Sequence, residues 1–360
     1  MKSSAAFKPE AGQSEIDELL ELSGGIGRDP LLAQASSGSV SLKLDGTLWV
    51  KASGKWLANA DRDEILVPLN LAECLQNFRR GDPIPALHGS ARAACLRPSS
   101  DTFLHAALPQ RVVVHVHSVN TLAWAVRSDA HLQLTIKLFG LNWCWIPYVG
   151  AGFALAREAH LHSRRNPRST VFVLGNCGLV ICGDDCGSVK SLLFEVEQRL
   201  ALAPRLVPQA SLSALEEIRR FPGWCLPRER PVHALGTDGN SRRIAEGGVL
   251  YPYQALFLGG ASPMLSRNAS PSRMQRRIAS FGSSPFLIVE RSGVLVREKA
   301  NPAELAVLQG YVEVVRRIDT AAPIRYLTNA EVKDLLRTAR DRDSTRDHAT
   351  HSILQPRNRA

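Results

Sequence analysis

The sequence predicts an α/β fold: a three-layer α/β/α domain with a mainly antiparallel central sheet, followed by a smaller α+β extension. Three observations predict it. Asp45-Gly46 joins two alternating apolar runs, Val40–Leu44 and Leu48–Ala52, and Asp-Gly between such runs is a strong short-hairpin signal. Thr170–Leu174 and Leu179–Cys182 are β-branched, apolar runs joined through Gly175-Asn-Cys-Gly178, which makes a turn of the connection. Elsewhere the apolar runs are separated by segments of helical period, so some strands are joined by hairpins and others by helices. A doubly wound parallel sheet would need a helix at every crossing.

The elements follow in order. Glu15–Leu22 carries apolar residues at helical spacing and predicts a short opening helix ended by Gly24-Gly25. Asp61–Phe78 reads as helical. Ser100 is placed to cap a helix over Asp101–Leu108, with Asp101 in its first turn and His105 one turn later on the same face. The run from Arg111 to Ser118 is a strand, and because residues i and i+2 share a face, His115 and His117 stand side by side. Val112, Val114 and Val116 then face the other way. Helices are expected over Thr121–Arg127, His131–Phe139, Phe153–His162 and Ser188–Leu202, with a loop at Pro147–Gly152. A boundary is expected near Pro204–Pro208. Beyond it come a hairpin turning at Ser292-Gly293 and two helices, Pro302–Ile318 and Asn329–Ala339. The expected division is 1–25, 26–205, 206–340 and a polar tail, 341–360, whose charge alternation predicts disorder. Removing that tail is expected to leave the melting temperature unchanged.

With 360 residues, 44% of them hydrophobic, the chain has the means to bury a substantial core. No uncharged apolar run reaches the roughly 18 residues of a membrane span, and Met1–Gln13 lacks the apolar centre of a signal peptide. Seven scattered cysteines then predict reduced thiols and a cytoplasmic location. The formal net charge of +10 raises the question of nucleic acid. The surplus is local, with thirteen Lys/Arg against seven Asp/Glu between Glu216 and Lys299, and Arg273, Arg276 and Arg277 cluster in the Ser/Pro-rich run Ser262–Pro285. Few aromatics accompany them and no nucleic-acid module is recognisable, so a solvated basic loop is expected and a nucleic-acid partner is not. Gly24-Gly-Ile-Gly27 has no preceding strand and no third glycine at the right spacing, which excludes a dinucleotide fingerprint.

In order and spacing, Ser37-Gly-Ser-Val-Ser41, the run Trp49–Leu57, the run Arg97–His105, the His-x-His strand and the run Val173–Gly183 resemble the class II aldolase/adducin family. The resemblance is closest to the aldolase unit of bifunctional rhamnulose-phosphate aldolase/alcohol dehydrogenases. Leu250–Gly259, Val294–Arg297 and Arg325–Thr328 resemble the C-terminal extension of that subgroup. The resemblance implies a class II aldolase-like fold and a divalent metal, usually Zn2+, held by His115, His117 and a third residue on a turn. The family has histidine there and this chain has Cys177, itself a sound zinc ligand. The acid/base carboxylate, Glu in the family, is Asp101, one methylene shorter. Substrate phosphate would be held by Gly38, Ser39, Ser53, Gly54, Ser99 and Ser100, with Ser39 standing where the family more often has Asn. His88 and His105 are candidates for orienting the ligands, and Tyr148 is the nearest aromatic hydroxyl to a family proton donor. A metal-dependent aldolase acting on a sugar phosphate, in a homo-oligomer, is what these residues imply. Epimerases and dehydratases share the chemistry. A non-catalytic, adducin-like scaffold is favoured by the departures at Ser39, Asp101 and Cys177 and opposed by their retention of a donor, a carboxylate and a ligand.

Overall fold

A computed structural model describes residues 10–82, 96–282 and 284–339. They form two compact units, one reaching Leu206 and including Asn301–Ile324, the other Val207–Ala300 with the residues from Arg325 onward.

The first unit contains, in chain order, α1 (Glu10–Arg28), β1 (Ser39–Leu44), β2 (Thr47–Lys51), β3 (Leu66–Asn70), α2 (Leu71–Arg80), α3 (Thr102–Ala107), β4 (Val112–Val116), α4 (Val119–Ala125), α5 (Ala130–Lys137), β5 (Trp143–Ile146), α6 (Phe153–Arg165), β6 (Val171–Leu174), β7 (Gly178–Gly183) and α7 (Cys186–Leu200). Its sheet runs β3-β2-β1-β4-β7-β6-β5, and every pair is antiparallel except β5 with β6. The first hairpin closes as its sequence requires: Asp45 and Gly46 both have positive φ, 47° and 75°, so the turn follows the right-handed twist of β1 and β2. Alternation then sorts the faces. Val112, Val114 and Val116 of β4 join Val40, Leu42, Leu179 and Ile181 under Leu19 and Leu22 of α1, Trp124 of α4, Leu134 of α5 and Val189 and Val196 of α7. Val113, Val180 and Cys182 face the opposite layer, Phe103 and Leu104 of α3 and Leu155, Ala156 and Ala159 of α6. The three expected layers are present, and β4 is buried on both faces.

Several elements depart from expectation. The helix expected to stop at Gly24-Gly25 continues to Arg28. Its face Leu19, Leu22 and Ile26 stays buried, and Gly27 lies where a Cβ would be 2.0 Å from the Ala58 nitrogen, so glycine serves close packing here. Asp61–Phe78 is not one helix. Leu66–Asn70 is the edge strand β3, where Pro68 is tolerated, and Asn70 starts α2 by accepting a hydrogen bond from the Glu73 amide at 3.0 Å. The other edge strand, β5, falls in a run for which the sequence predicts no element. Ser100 does not cap α3: Asp101 occupies the N-cap position and its carboxylate makes no capping bond.

The second unit holds α8 (Leu212–Arg219), β8 (Trp224–Cys225), α9 (Ala234–Thr237), α10 (Gly239–Gly247), α11 (Pro252–Leu258), β9 (Met264–Leu265), α12 (Pro271–Ser280), β10 (Phe286–Val289), β11 (Gly293–Arg297) and a helix at 329–339. Its sheet order is β8-β11-β10-β9, built on the expected β10/β11 hairpin. The basic run is helical rather than a loop: Met274 and Ile278 of α12 pack on the Leu287 and Leu295 core, while Arg273, Arg276 and Arg277 are exposed. After β11, α13 (Pro302–Arg317) rejoins the first unit. It starts with a reciprocal capping box between Asn301 and Glu304, and its Gly310 accepts the Gln34 side chain where a Cβ would come within 2.6 Å. No helix among the described residues is long and apolar enough to cross a membrane.

Candidate active site

Two strands and one helix N-terminus converge at the end of β4. His115 is the cross-strand partner of Ser39, and α3 lies over the same face of the sheet, so Asp101 arrives above both. The Asp101 Oδ2 accepts a hydrogen bond from Ser39 Oγ at 2.9 Å and lies 2.9 Å from His115 Nδ1. Ser39 Oγ is 2.7 Å from His105 Nε2, and the other ring nitrogen of His105 is 2.8 Å from Ser41 Oγ. With the Ser39 hydroxyl donating to Asp101, His105 Nε2–H donates to Ser39 and Nδ1 accepts from Ser41. The result is a continuous buried chain, Ser41–His105–Ser39–Asp101–His115.

Electrostatics follow from this packing. Burial pushes the Asp101 carboxyl up, but the charge and hydrogen bond of His115, with His105 and Ser39, outweigh it and hold the group well below the usual carboxylate range. Burial likewise disfavours a charged His115 ring, yet Asp101, and secondarily Cys177, raise its pKa to about 10. For His105, burial dominates and lowers the pKa to about 3 against the pull of Asp101. His117 is also pushed down to about 3, by burial first and then by the charge of His115. His115 and His117 have ring centroids 5.2 Å apart, as the i, i+2 spacing predicts.

Cys177 reaches this point on a turn pinned at each residue. Gly175 N donates to Ile146 O at 2.8 Å, Asn176 N to Ala125 O at 3.1 Å and Cys177 N to Leu174 O at 3.0 Å. Gly178 has φ 131°, and a Cβ there would lie 2.4 Å from the Val116 carbonyl oxygen. Gly178→Ala is therefore expected to cost about 1–3 kcal/mol from backbone strain alone and to displace Cys177 from the end of β4. Thermal unfolding checks the first effect and zinc binding the second.

The phosphate candidates divide. Gly38, at φ 75°, packs its α-carbon against His115, where a Cβ would be 3.0 Å from the carbonyl oxygen. Ser53 and Gly54 are exposed, and Ser53 N donates to Arg97 O at 2.7 Å, which lays that turn beside Ser99 and Ser100. Ser99 Oγ accepts from Asp101 N at 3.2 Å, and Ser100 is exposed. Ser39 differs: it is fully buried and its hydroxyl is committed inward to Asp101 and His105. Tyr148 is half-buried with its backbone against the Gly175 turn. His88 lies outside the described residues.

Sequence reasoning misses Lys51. It is 2% exposed, and its Nζ donates to Ser36 O at 3.0 Å and to Ala52 O at 3.4 Å. Burial lowers its pKa to about 8, with the Asp101 charge opposing. The signal that could have found it is a lysine inside the apolar strand Leu48–Ala52.

A divalent ion fits these donors in kind. His115 Nε2 is buried without a conventional hydrogen-bond partner, Cys177 lies against the same ring, and a carboxylate fixes Nδ1, as is usual for a metal-binding imidazole. Among the described residues no three His, Cys, Asp or Glu side chains are already gathered into one ion-binding group.

The fold belongs to a defined class. The chain is a member of the class II aldolase and adducin family: the sequence model described as Class II Aldolase and Adducin N-terminal domain matches residues 23–203. The uncharacterized oxidoreductase YuxG of Bacillus subtilis (strain 168) is 27% identical over 185 residues, 47% of this chain and 26% of that protein. The chain thus spans about a quarter of the length of the curated relative it matches. The N-terminal class II aldolase domain of a conserved protein from Thermoplasma acidophilum is 24% identical, with 56% of this chain and 97% of that one covered at a TM-score of 0.44. A sugar-phosphate aldolase from Thermotoga maritima is 15% identical, with 53% and 95% covered at a TM-score of 0.40.

Proposed function

We propose that this chain is a metal-dependent aldehyde-lyase that makes or breaks a C–C bond in a sugar phosphate or related hydroxy-carbonyl compound. The observation that carries the reading is Asp101 paired with His115 Nδ1, with Cys177 against the same imidazole ring, in a chain of this family. His115, His117 and Cys177 would hold the ion, Zn2+ by donor type, which when bound supplies Lewis acidity for an enediolate. Asp101 exchanges the proton. Its contacts with Ser39 and His115 both fall on Oδ2, so Oδ1 is the oxygen that serves substrate, while His105 holds the carboxylate in place through Ser39. Gly38, Ser53, Gly54, Ser99 and Ser100 are proposed for the phosphate, with Ser53 and Ser99 donating through their hydroxyls because their amides are bonded to Arg97 O and Lys51 O. Ser39 is assigned to orienting Asp101. A likeness to the aldolase unit of bifunctional rhamnulose-phosphate aldolase/alcohol dehydrogenases and a cytoplasmic location accompany the proposal.

The departures from the family's residues at Ser39, Asp101 and Cys177 favour a second reading, a non-catalytic adducin-like member. Metal analysis of purified protein, followed by assay of triose-phosphate or aldehyde release from a panel of ketose phosphates, separates the two. One ion per chain with release of product supports the lyase. One ion with isomer exchange or water loss indicates an epimerase or dehydratase, and no ion at saturating zinc supports the scaffold. Self-association is proposed as well: Leu132, Ile136 and Phe139, at i, i+4 and i+7 along α5 and the turn after it, are 66%, 70% and 80% exposed. Ile136→Lys is expected to lower the mass measured by light scattering without unfolding the chain.

A further inference from the structure

His117 lies between the last residue of β4 and Ser118, the N-cap of α4, so its direction is set by how that corner is held. Ser118 Oγ accepts from Thr121 N at 3.1 Å and donates to the carboxylate of Glu197 on α7. Asn120, in the first turn of α4, donates from Nδ2 to Glu197 Oε2 at 3.0 Å, and its Oδ1 accepts from Leu202 N at 3.2 Å. Ser118 and Asn120 are both buried, so two donors from the corner converge on one inward-turned carboxylate. Burial pushes the Glu197 carboxyl up, and the bonds from Ser118 and Asn120, with the Arg317 charge of α13, offset this in part. Seating α7 does not require such a group, because Val189, Leu193, Val196 and Leu200 already bury its apolar face in the core. Gln34 adds a second hold on the corner: its Nε2 is 3.4 Å from the His117 carbonyl oxygen, and its side chain rests against Gly310 of α13.

We propose that Glu197 is a positioning residue for the metal ligand His117: by accepting from Ser118 and Asn120 it fixes the strand-to-helix corner, and with it the direction in which the His117 ring is presented beside His115. The inference rests on His117 being a ligand, the reading proposed above. A ligand must be held within about 0.5 Å of its productive place, and hydrogen bonds behind it are what hold it there. Glu197 acts through Ser118 and Asn120, the residues that follow the ligand in the chain.

The experiment measures the zinc affinity of the full chain by competition with a chelator, well below the melting temperature, and the visible absorption of the Co2+-loaded protein at saturation. Glu197→Ala is expected to bind zinc about tenfold more weakly and to show an altered cobalt spectrum, because His117 then meets the ion from a changed direction. Glu197→Gln, whose amide oxygen can accept from both Ser118 and Asn120, is expected to recover most of the affinity and the wild-type spectrum. A role confined to seating α7 lowers the melting temperature and moves neither readout. A folded Glu197→Ala with wild-type affinity and spectrum therefore overturns the inference while leaving the metal site standing, and equal losses in both variants overturn it by tracing the effect to charge rather than to the acceptor. No zinc in wild type overturns the metal reading and the inference with it. Should Glu197→Ala not fold, Asn120→Leu removes one of the two donors instead: a folded variant with weaker zinc binding and an altered cobalt spectrum supports the proposal, and one with wild-type values overturns it.

Discussion

Cys177→Ala is expected to lose most of its bound zinc while staying folded. Two histidines alone are too few protein ligands for tight zinc binding, and the substitution removes the proposed third donor with little packing loss because Cys177 is only half-buried. The turn itself is held by the backbone bonds of Gly175, Asn176 and Cys177, which alanine preserves. Cys177→His is expected to retain or strengthen binding, since it restores the ligand type usual in the family and removes a thiolate charge that weakens the ion as a Lewis acid. The measurement is zinc per chain after dialysis against a mild chelator, with circular dichroism as the control for folding. Equal stoichiometric zinc in wild type and Cys177→Ala would remove the cysteine from the ligand set. Zinc in Cys177→His but none in wild type would mark a lapsed site and favour the scaffold reading.

Asp101→Asn is expected to lower turnover by about two to four powers of ten at saturating zinc, because the amide cannot exchange the proton. The contact with His115 adds a second consequence. The carboxylate fixes Nδ1, and replacing such a partner typically weakens metal affinity about 10- to 100-fold, so zinc titration and turnover at saturation must be read separately. Full turnover in Asp101→Asn would exclude Asp101 from proton transfer. Asp101→Glu tests reach: the extra methylene must be accommodated under α3, where the 2.9 Å contacts to Ser39 and His115 are already made, and a loss of zinc affinity in this variant is the expected cost.

Much of the central sheet was legible because its signals are local. Asp45-Gly46 favours positive φ at two successive residues, and that alone closes the first hairpin. Strict alternation along β4 sends Val112, Val114 and Val116 to one layer and Val113, with His115 two residues on, to the other. The edge strands were not legible. Leu66–Asn70 contains a proline and follows polar residues, and only pairing with β2 makes it a strand. The roles within the site were partly hidden for a similar reason. Ser39 reads as an exposed turn donor in sequence, yet cross-strand pairing with His115 buries it under α3.

The sequence by itself determined the antiparallel hairpins, the face on which His115 and His117 stand, and the nearness of Asp101 to the strand that carries them, because turn chemistry and period-2 alternation act between residues close in the chain. Only the tertiary structure decided that the Asp101 carboxylate leaves its helix N-terminus for His115 and Ser39, that His105 backs it, that Lys51 is buried among three turns, and that α13 returns to the first unit. These depend on which groups lose water together when distant segments pack, and a charge or hydroxyl that has lost water must take whatever partner the packing brings within reach.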